Sequence, residues 1–361
     1  MENMVDFNFI KKNIEGKKVL LTGHTGFKGS WMLMLLNMFN AKVSGISLVP
    51  KNQNDIYNLI NGDSLCDSII SDIRNKDQLR EYVLKINPEI IFHFAAQPLV
   101  RESYKNPIET FETNIIGTAN LLDAVRFIKT KCTIVVITTD KVYENKEWHY
   151  PYRENDRLGG YDPYSSSKAA SELIIDSYRN SFFNPVNFKM HLKSIASARA
   201  GNVIGGGDWS EDRLIPDIIR SINSETNILI RNPNSVRPWQ HVLEPLLGYL
   251  LLAINLDSNP LKFSSSFNFG PNDNDVLSVI EIANICVDYF KKGVVEIRND
   301  VNSFHEASLL KLDINKSREY LGWQPKLSSL QSIAYTLDWY KYSGNNEREY
   351  CMKQIKSYYE I

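Results

Sequence analysis

The stretch "LLTGHTGFKGSW", residues 20–31, joins an apolar candidate strand to a candidate helix through Gly23, Gly26 and Gly29. A turn this tight needs glycine conformations, and a phosphate group can approach the backbone only where side chains are absent. The helix then presents oriented N–H groups and the positive end of its dipole. GxxGxxG spacing in this setting predicts a dinucleotide site that includes Thr25 and Phe27, with a plain strand-to-helix turn as the alternative.

Candidate strands and helices alternate through the first 200 residues, on both sides of this turn. Apolar strands separated by amphipathic helices are typical of a parallel sheet covered on both faces. The predicted strands are 17–21, 42–48, 68–70, 89–94, 131–137 and 191–199, and the predicted helices are 27–39, 76–86, 107–129 and 163–179. We therefore predict an α/β fold with a doubly wound parallel sheet of the Rossmann type.

The alternation loosens after Gly201, which indicates a second region. We predict a dinucleotide-binding domain over residues 1–200 and a smaller, mainly substrate-binding lobe over residues 201–361. No low-complexity linker separates the two, so the boundary is soft and the lobe is expected to interleave partly with the sheet.

The composition excludes several classes of partner. The chain has a formal net charge of −1, so no basic field attracts nucleic acid or anionic lipid. The four cysteines are widely spaced and fit no metal-ligand pattern, as expected for reduced thiols. The N-terminal residues have no signal-peptide core, and the longest apolar stretch, 245–256, is too short to span a bilayer. We expect a cytoplasmic protein without a metal site, a nucleic-acid partner or a membrane partner.

Further dinucleotide contacts are predicted where later strands end. Asp72 follows the third strand and is placed to contact the adenine, while the small residues Ala95 and Ala96 let the cofactor lie across the sheet edge. No acidic residue follows the second strand to bind the ribose 2′-hydroxyl of NAD. Ser47 and Lys51 lie there instead, and Lys51 suits a 2′-phosphate, so these residues leave NAD and NADP both open.

Two groups with proton-transfer chemistry follow. Tyr164 and Lys168 are spaced i, i+4 at the start of a predicted helix, where an ammonium group lowers the pKa of a neighbouring phenol. "TTDKVYEN", residues 138–145, places Thr139, Asp140 and Lys141 at the end of a buried strand. A surface Tyr–Lys pair and a solvated charged turn are the alternatives, but the glycine turn nearby favours a catalytic constellation.

The chain resembles the extended short-chain dehydrogenase/reductase family. The resemblance rests on the glycine turn, Asp72, Asn114 in "TNIIGT", Thr139 and the Tyr164–Lys168 pair. It continues through "RAGNVIGGGDW", "VRPWQHVLEP" and "LGWQP", which are similar to the nucleotide-sugar branch. Within this branch, "GHTGFKGSW", "TTDKVYEN" and "GGDW" look most like CDP-glucose 4,6-dehydratases, and the resemblance covers nearly the whole chain.

The resemblance implies NAD as cofactor, held partly by Tyr164 and Lys168, and CDP-glucose as substrate. It implies a homodimer in which helices 107–129 and 163–179 form a four-helix bundle, and a tetramer stays open. Tyr164, helped by Thr139, would take the proton from O4 of the sugar. Asp140 would protonate the departing C6 hydroxyl and Lys141 would take the C5 proton, although related dehydratases usually carry Asp-Glu in place of this pair.

The resemblance also implies a set of substrate-binding residues. They are Asn114, Arg199, Asn202, Arg213, Arg237 and Glu306. Two rival functions stay open, a nucleotide-sugar 4-epimerase and a non-catalytic dinucleotide-sensing protein. No residue argues physically for cytosine over uracil or thymine, so that preference rests on resemblance alone.

Overall fold

A parallel sheet forms the centre of the fold. The computed structural model describes residues 7–273, 275–298, 309–342, 344 and 346–360. Its strands in chain order are β1 (Lys18–Thr22), β2 (Lys42–Ser47), β3 (Asp67–Ile70), β4 (Ile90–His93), β5 (Cys132–Thr139), β6 (Lys193–Ala200), β7 (Asn202–Ile204), β8 (Ile228–Ile230), β9 (Val236–Arg237), β10 (Trp239–His241), β11 (Ser266–Phe269), β12 (Leu277–Ser278) and β13 (Val295–Ile297).

Seven of these described strands make one sheet in the order β11-β6-β5-β4-β1-β2-β3, with parallel pairing throughout. The strand order reverses between β1 and β4, and such a switch point opens a crevice at the carboxyl ends of the strands. The predicted doubly wound α/β fold is therefore confirmed.

The helices cover both faces of this sheet. In chain order they are α1 (Phe7–Ile14), α2 (Phe27–Met38), α3 (Ile56–Leu59), α4 (Lys76–Ile86), α5 (Val100–Lys105), α6 (Pro107–Phe111), α7 (Gly117–Val125), α8 (Pro163–Ser181), α9 (Phe188–His191), α10 (Leu214–Asn223), α11 (Leu243–Ser258), α12 (Pro260–Phe263), α13 (Val279–Phe290), α14 (Asn315–Leu321), α15 (Ser329–Tyr342) and α16 (Glu347–Glu360). None of the helices in the described part of the chain combines the length and apolar character needed to cross a bilayer.

The strand β5 shows why both faces are covered. All eight of its residues are buried, and alternate side chains enter two different cores. Val135 and Ile137 belong to one core, while Ile134 and Val136 belong to the other. A strand that is apolar on both faces is stable only between two layers, so this continuous apolar run predicts the covered position that β5 occupies.

The helix predicted over residues 107–129 differs in detail. It consists of α6, a π-helical turn over Glu112–Ile116, and α7, which ends at Val125. The turn contains Asn114, whose backbone carbonyl accepts hydrogen bonds from the hydroxyls of Thr118 and Ser171. A local π-turn of this kind often marks a functional site, because it redirects one side chain within a helix.

The C-terminal half contributes to the main sheet as well as to a separate layer. β11 pairs with β6, so a strand from beyond residue 201 extends the sheet. The remaining strands form three two-stranded sheets, β7 with β10, β9 with β12, and β8 with β13, among the described residues. The division at residue 200 stays a prediction.

Candidate active site

A cleft of about 1360 Å³ lies at the carboxyl ends of β1, β4 and β5. Most of the residues predicted for cofactor binding, catalysis and substrate binding line this one space. They are Gly23, Thr25, Gly26, Phe27, Gly29, Asp72, Ala95, Ala96, Thr139, Asp140, Lys141, Tyr164, Lys168, Asn202, Arg213 and Arg237. No group of three potential His, Cys, Asp or Glu ligands for a metal occurs in the described ranges.

Each of the three positions in the turn is glycine for a different structural reason. Gly23 has a φ of +74°, and a Cβ there would lie 2.7 Å from the backbone nitrogen of Ala95. At Gly29 a Cβ would lie 2.1 Å from the carbonyl oxygen of Gly23, so α2 packs against the turn only without a side chain. Gly26 is the N-cap of α2, and its Cβ position meets nothing closer than 3.4 Å. Open space at a helix N-terminus fits a pyrophosphate group.

The region predicted to bind the adenosine half of the dinucleotide is polar, and most of its polar side chains hydrogen-bond one another. The Thr25 hydroxyl hydrogen-bonds Ser47 and donates to the Leu48 carbonyl, both at 2.8 Å. Arg74 donates from its backbone and its guanidinium to the Asp72 carboxylate. This guanidinium lowers the pKa of Asp72 in spite of partial burial, which opposes it. Asp72 is therefore a fixed carboxylate on the cleft wall, and its contact with an adenine stays a prediction.

The predicted catalytic groups converge at the end of β5. Thr139, Asp140 and Tyr164 are all buried, with exposed fractions of 7%, 5% and 8%. The Thr139 hydroxyl donates to Asp140 Oδ1 at 2.9 Å, and Thr139 lies close enough to the Tyr164 phenol to lower its pKa. Lys141 is partly buried and donates its backbone N–H to the Thr139 oxygen at 3.4 Å. Thr139 is thus the centre of the arrangement, with a phenol on one side and a carboxylate on the other.

The electrostatics of Tyr164 and Lys168 differ from the sequence prediction. Burial raises the pKa of the Tyr164 phenol to about 12, although the nearby Thr139 lowers it. Burial lowers the pKa of Lys168 to about 8, and the nearby Glu172 opposes this shift. The expectation that Lys168 lowers the Tyr164 pKa in the protein alone is wrong, because the Lys168 ammonium donates to the Ile137 carbonyl at 3.0 Å.

One cleft residue, Lys28, was missed by sequence reasoning. It follows Phe27 in the first turn of α2 and lines the cleft. Burial lowers the pKa of Lys28 to about 7, the cations Arg213 and Lys168 lower it further, and Asp140 opposes them. A lysine in the first turn of a helix is disfavoured by the helix dipole. That unfavourable position was the sequence signal that could have identified Lys28 as a candidate cleft residue.

Asn114, predicted to bind substrate, lies behind the cleft instead. Its side-chain oxygen accepts the Gln97 N–H at 2.8 Å, and its amide group donates to Gln97 O and to the Ser167 hydroxyl. These bonds use the whole amide and leave the residue buried. Asn114 therefore ties the loop after β4 to α8, the helix that carries Tyr164, and the substrate contact is corrected to a positioning role.

Arg199 is likewise corrected. It is 2% exposed and forms a buried ion pair with Glu172 at 3.0 Å, through two nitrogens. Its remaining N–H groups donate to Tyr143, Glu154 and Ser266. No donor remains to meet a sugar, because each guanidinium nitrogen already has a protein acceptor. Arg199 joins β6 to α8 below the site and does not bind substrate.

This ion pair predicts a large stability effect. Arg199→Met should lower the free energy of unfolding by about 3–5 kcal/mol, because it leaves the Glu172 carboxylate buried without its cation. The control Arg298→Met removes an exposed pair with Glu296 and should cost less than about 1 kcal/mol. Urea denaturation of both variants measures the difference, and equal losses would contradict a structural role for Arg199.

The remaining predicted substrate residues differ in their surroundings. Asn202 begins β7 at the cleft wall. Arg213 donates to the buried carboxylate of Asp208 at 2.8 Å, so this cation is oriented before any substrate binds. Arg237 lies in β9 at the far side of the cleft. Glu306 lies outside the described residues.

Comparison with known proteins identifies what this arrangement resembles. Residues 20–336 match the family model described as GDP-mannose 4,6 dehydratase. The chain is 46% identical over 338 residues to a CDP-glucose 4,6-dehydratase of Salmonella typhimurium, an alignment that covers 94% of this chain and 93% of that protein. It is 25% identical to the human dTDP-D-glucose 4,6-dehydratase, covering 91% of each chain.

Solved structures agree on the fold. The dTDP-glucose 4,6-dehydratase DesIV from Streptomyces venezuelae, solved with NAD and TYD bound, superposes with a TM-score of 0.76 at 22% identity. That match covers 90% of this chain and 97% of DesIV. The epimerase Mth375 from Methanothermobacter thermautotrophicus gives a TM-score of 0.79 at 20% identity, covering 95% of this chain and 98% of that one. At such identities the likeness extends to the fold alone.

Proposed function

Because the chain belongs to the GDP-mannose 4,6-dehydratase family, we propose that it is an NAD-dependent CDP-glucose 4,6-dehydratase. The reaction converts CDP-D-glucose to CDP-4-dehydro-6-deoxy-D-glucose and water. The observation that carries the proposal is the 46% identity to a CDP-glucose 4,6-dehydratase along nearly the whole of both chains. The cleft supports it, since Asp140 and Lys141 lie beside the Tyr164 and Thr139 pair.

The residues that would hold NAD are the glycine turn, Ala95, Ala96, Tyr164 and Lys168, which all line the cleft. When bound, NAD would supply the oxidant for C4 of the sugar and, in its reduced form, the hydride for C6. The open space at Gly26 and the bare turn fit its pyrophosphate. The Ser47 hydroxyl already forms a hydrogen bond with the Thr25 hydroxyl. Any contact of Ser47 with the cofactor ribose would therefore be made in addition to that bond.

Tyr164 would take the proton from O4 while C4 is oxidised. Its phenol is buried and has a pKa of about 12 in the protein alone, because burial disfavours phenolate. A positive charge close to the phenol stabilises phenolate and lowers this pKa. The oxidised nicotinamide would bring such a charge. We therefore assign Tyr164 as the base of the cofactor-loaded site and Lys168 as a residue that would hold the cofactor beside it.

Asp140 and Lys141 would perform the second half of the reaction. The 4-ketone acidifies the hydrogen on C5, and a dehydratase must remove this proton and protonate the C6 hydroxyl as it leaves. Asp140 is buried and accepts the Thr139 hydroxyl, a setting in which it can carry a proton to the C6 oxygen. Lys141 would take the C5 proton.

A 4-epimerase needs only the first half of this chemistry and has no use for an acid and a base beside the tyrosine. The test is to incubate the purified protein with NAD and each of CDP-, dTDP-, UDP- and GDP-glucose. We expect a product with the alkaline absorbance of a 4-keto-6-deoxy sugar from CDP-glucose in preference to the others. Formation of CDP-galactose would establish the epimerase instead, and an unchanged sugar would establish a non-catalytic sensor.

Substrate binding gives a prediction for Arg237. Arg237→Ala should raise KM for CDP-glucose roughly 10- to 100-fold with a smaller change in kcat, because a guanidinium bonded to a diphosphate contributes about 1.5–3 kcal/mol. Steady-state kinetics measure the effect. The control is Arg153→Ala, whose side chain is 73% exposed and lies outside the cleft wall. An unchanged KM in Arg237→Ala would remove this residue from the binding site.

We also propose that two copies pair as a four-helix bundle, in which each copy contributes α8 and the continuous helix formed by α6, the π-turn and α7. Apolar side chains on this surface are exposed, with Ile108 at 67%, Ile116 at 51% and Leu173 at 61%. Exposed apolar patches of this kind mark protein interfaces. Light scattering tests the dimer, and a monomeric mass would reject it.

We place the protein in the cytoplasm and its product in deoxysugar synthesis for bacterial surface polysaccharide such as the lipopolysaccharide O-antigen.

A further inference from the structure

A buried histidine lies at the point where the central sheet meets the cleft. His93 ends β4 and is paired in register with Thr22, which ends β1. Side chains in register on neighbouring parallel strands point to the same face, and the apolar residues two positions earlier on each strand belong to the core beneath α7. Both residues are buried, and each is followed directly by a residue of the cleft wall, Gly23 or Phe94.

The hydrogen bonds of His93 fix its tautomer. The Thr118 hydroxyl lies 2.7 Å from the Asn114 carbonyl oxygen, which cannot donate, so Thr118 gives this bond its single proton. Thr118 therefore accepts a proton from His93 Nε2, at 3.1 Å. A neutral imidazole has one N–H group, so Nδ1 accepts the Thr22 hydroxyl at 2.6 Å.

The surroundings keep this imidazole neutral. Burial lowers the pKa of His93 to about 3, and the charge of the nearby Lys168 lowers it further. A neutral imidazole offers an acceptor on one side and a donor on the other, so it satisfies both threonine hydroxyls. It does so without placing a second positive charge beside Lys168.

The resulting chain of hydrogen bonds joins the glycine turn to α8. At one end, the Thr22 oxygen accepts the backbone N–H of Ala95 at 3.3 Å, and Thr22 directly precedes the glycine turn. At the other end, the Asn114 carbonyl in the π-turn also accepts the Ser171 hydroxyl of α8 at 2.8 Å. The wall that would hold the cofactor and the helix that carries Tyr164 are thus connected beneath the cleft through one imidazole.

We propose that His93, as its Nε2–H tautomer, is a positioning residue that holds α8 in register with the glycine turn, an inference that rests on the proposed function. His93 does not line the cleft and transfers no proton. Asn114 binds the loop after β4 to α8, whereas His93 fixes both to the central strands. Oxidation at C4 depends on this register, because a displacement of about 1 Å between reacting groups can cost about 100-fold in rate.

Nuclear magnetic resonance tests the tautomer in wild-type protein without substrate. Histidine labelled with ¹⁵N gives separate signals for the two ring nitrogens, and His93→Phe identifies those of His93. We expect a protonated Nε2 and an unprotonated Nδ1 from neutral to mildly acidic pH. A charged ring at neutral pH, or a proton on Nδ1, would overturn the proposal.

Thr118→Val tests the positioning, with Thr133→Val as its matched control. Both changes remove one buried hydroxyl from a side chain of the same shape. Thr133 bonds Asp257 near the amino end of β5, away from the cleft. In protein without substrate, Thr118→Val should speed hydrogen–deuterium exchange of the π-turn and the first turns of α8, and Thr133→Val should not. Thr118→Val should also lower kcat for CDP-glucose about 10- to 100-fold with little change in KM.

The control should keep the wild-type kcat although it also loses a buried hydrogen bond. Equal exchange of α8 in the two valine variants, or a wild-type kcat in Thr118→Val, would overturn the proposal. His93→Phe combined with Thr118→Val should be no slower than the slower single variant, because both remove the same bond, and additive losses would contradict this. If the proposed function fails, wild type forms no 4-keto sugar from CDP-glucose, while the tautomer and the exchange of α8 still decide the role of His93.

Discussion

Tyr164→Phe is expected to lower kcat for CDP-glucose by about 10²- to 10⁴-fold, the usual contribution of a positioned acid–base group. Phenylalanine fills the same buried volume and removes only the hydroxyl that lies close to Thr139. Oxidation at C4 then lacks a base, so reduced cofactor should not accumulate on mixing with substrate. Steady-state product assays and rapid-mixing absorbance measure the two effects.

The matched control is Tyr150→Phe, because Tyr150 is 76% exposed and does not line the cleft. It should leave kcat and KM unchanged. Unfolding of Tyr164→Phe should differ from wild type by about 1 kcal/mol, the ordinary contribution of one hydrogen bond. A variant that is stable, binds CDP-glucose and still turns over at more than a tenth of the wild-type rate would assign the base to another residue.

The features that could be predicted from sequence are those set by local pattern. The glycine spacing, the apolar strands and the i, i+4 position of Tyr164 and Lys168 each specify a nearby geometry, and all lie where the patterns indicated. Residues 131–137 were predicted as a buried strand because apolar side chains occur on both faces, and the structure has that strand over Cys132–Thr139. A parallel sheet then brings the carboxyl ends of β1, β4 and β5 to one edge, which is why distant motifs share one cleft.

The residues whose contacts were predicted wrongly from sequence are held by partners that lie far away along the chain. Arg199 lies at the end of the predicted strand 191–199, where a ligand-binding residue is expected, but the direction of its side chain is decided by Glu172, 27 positions earlier, and by Ser266, 67 positions later. Nothing in the local pattern identifies either partner. Asn114 lies in a motif typical of the family, yet its amide is fully used by Gln97 and Ser167. Motif identity therefore located the neighbourhood of both residues but not their contacts.

The prediction that the pKa of Tyr164 is lowered was wrong for a related reason. Helical spacing showed that the Lys168 ammonium and the phenol lie on one face, but not that the ammonium donates to the Ile137 carbonyl. Burial of the phenol then raises its pKa, since no positive charge is bonded to it. Under the proposed function, Tyr164 would therefore act as a base only when the cofactor supplies that charge.

Lys141→Ala is expected to separate the two halves of the reaction. Removing the C5 base should leave oxidation at C4 intact, because Tyr164 and Thr139 are unchanged. Exchange of the C5 hydrogen with solvent should slow by about 10²-fold or more, the scale of a lost general base. Reduced cofactor and 4-keto sugar should therefore accumulate on the enzyme. Mass spectrometry of product formed in deuterium oxide measures C5 exchange, and absorbance follows the cofactor.

Two controls make this result specific to the lost base. Lys141→Glu places a carboxylate where related dehydratases usually carry one, so it should exchange C5 faster than Lys141→Ala. Lys129→Ala removes an exposed lysine outside the cleft and should behave like wild type. If Lys141→Ala exchanges C5 at the wild-type rate, Lys141 is not the base. Lys28 is then the next candidate, because it also lines the cleft and its pKa of about 7 makes a neutral amine accessible near neutral pH.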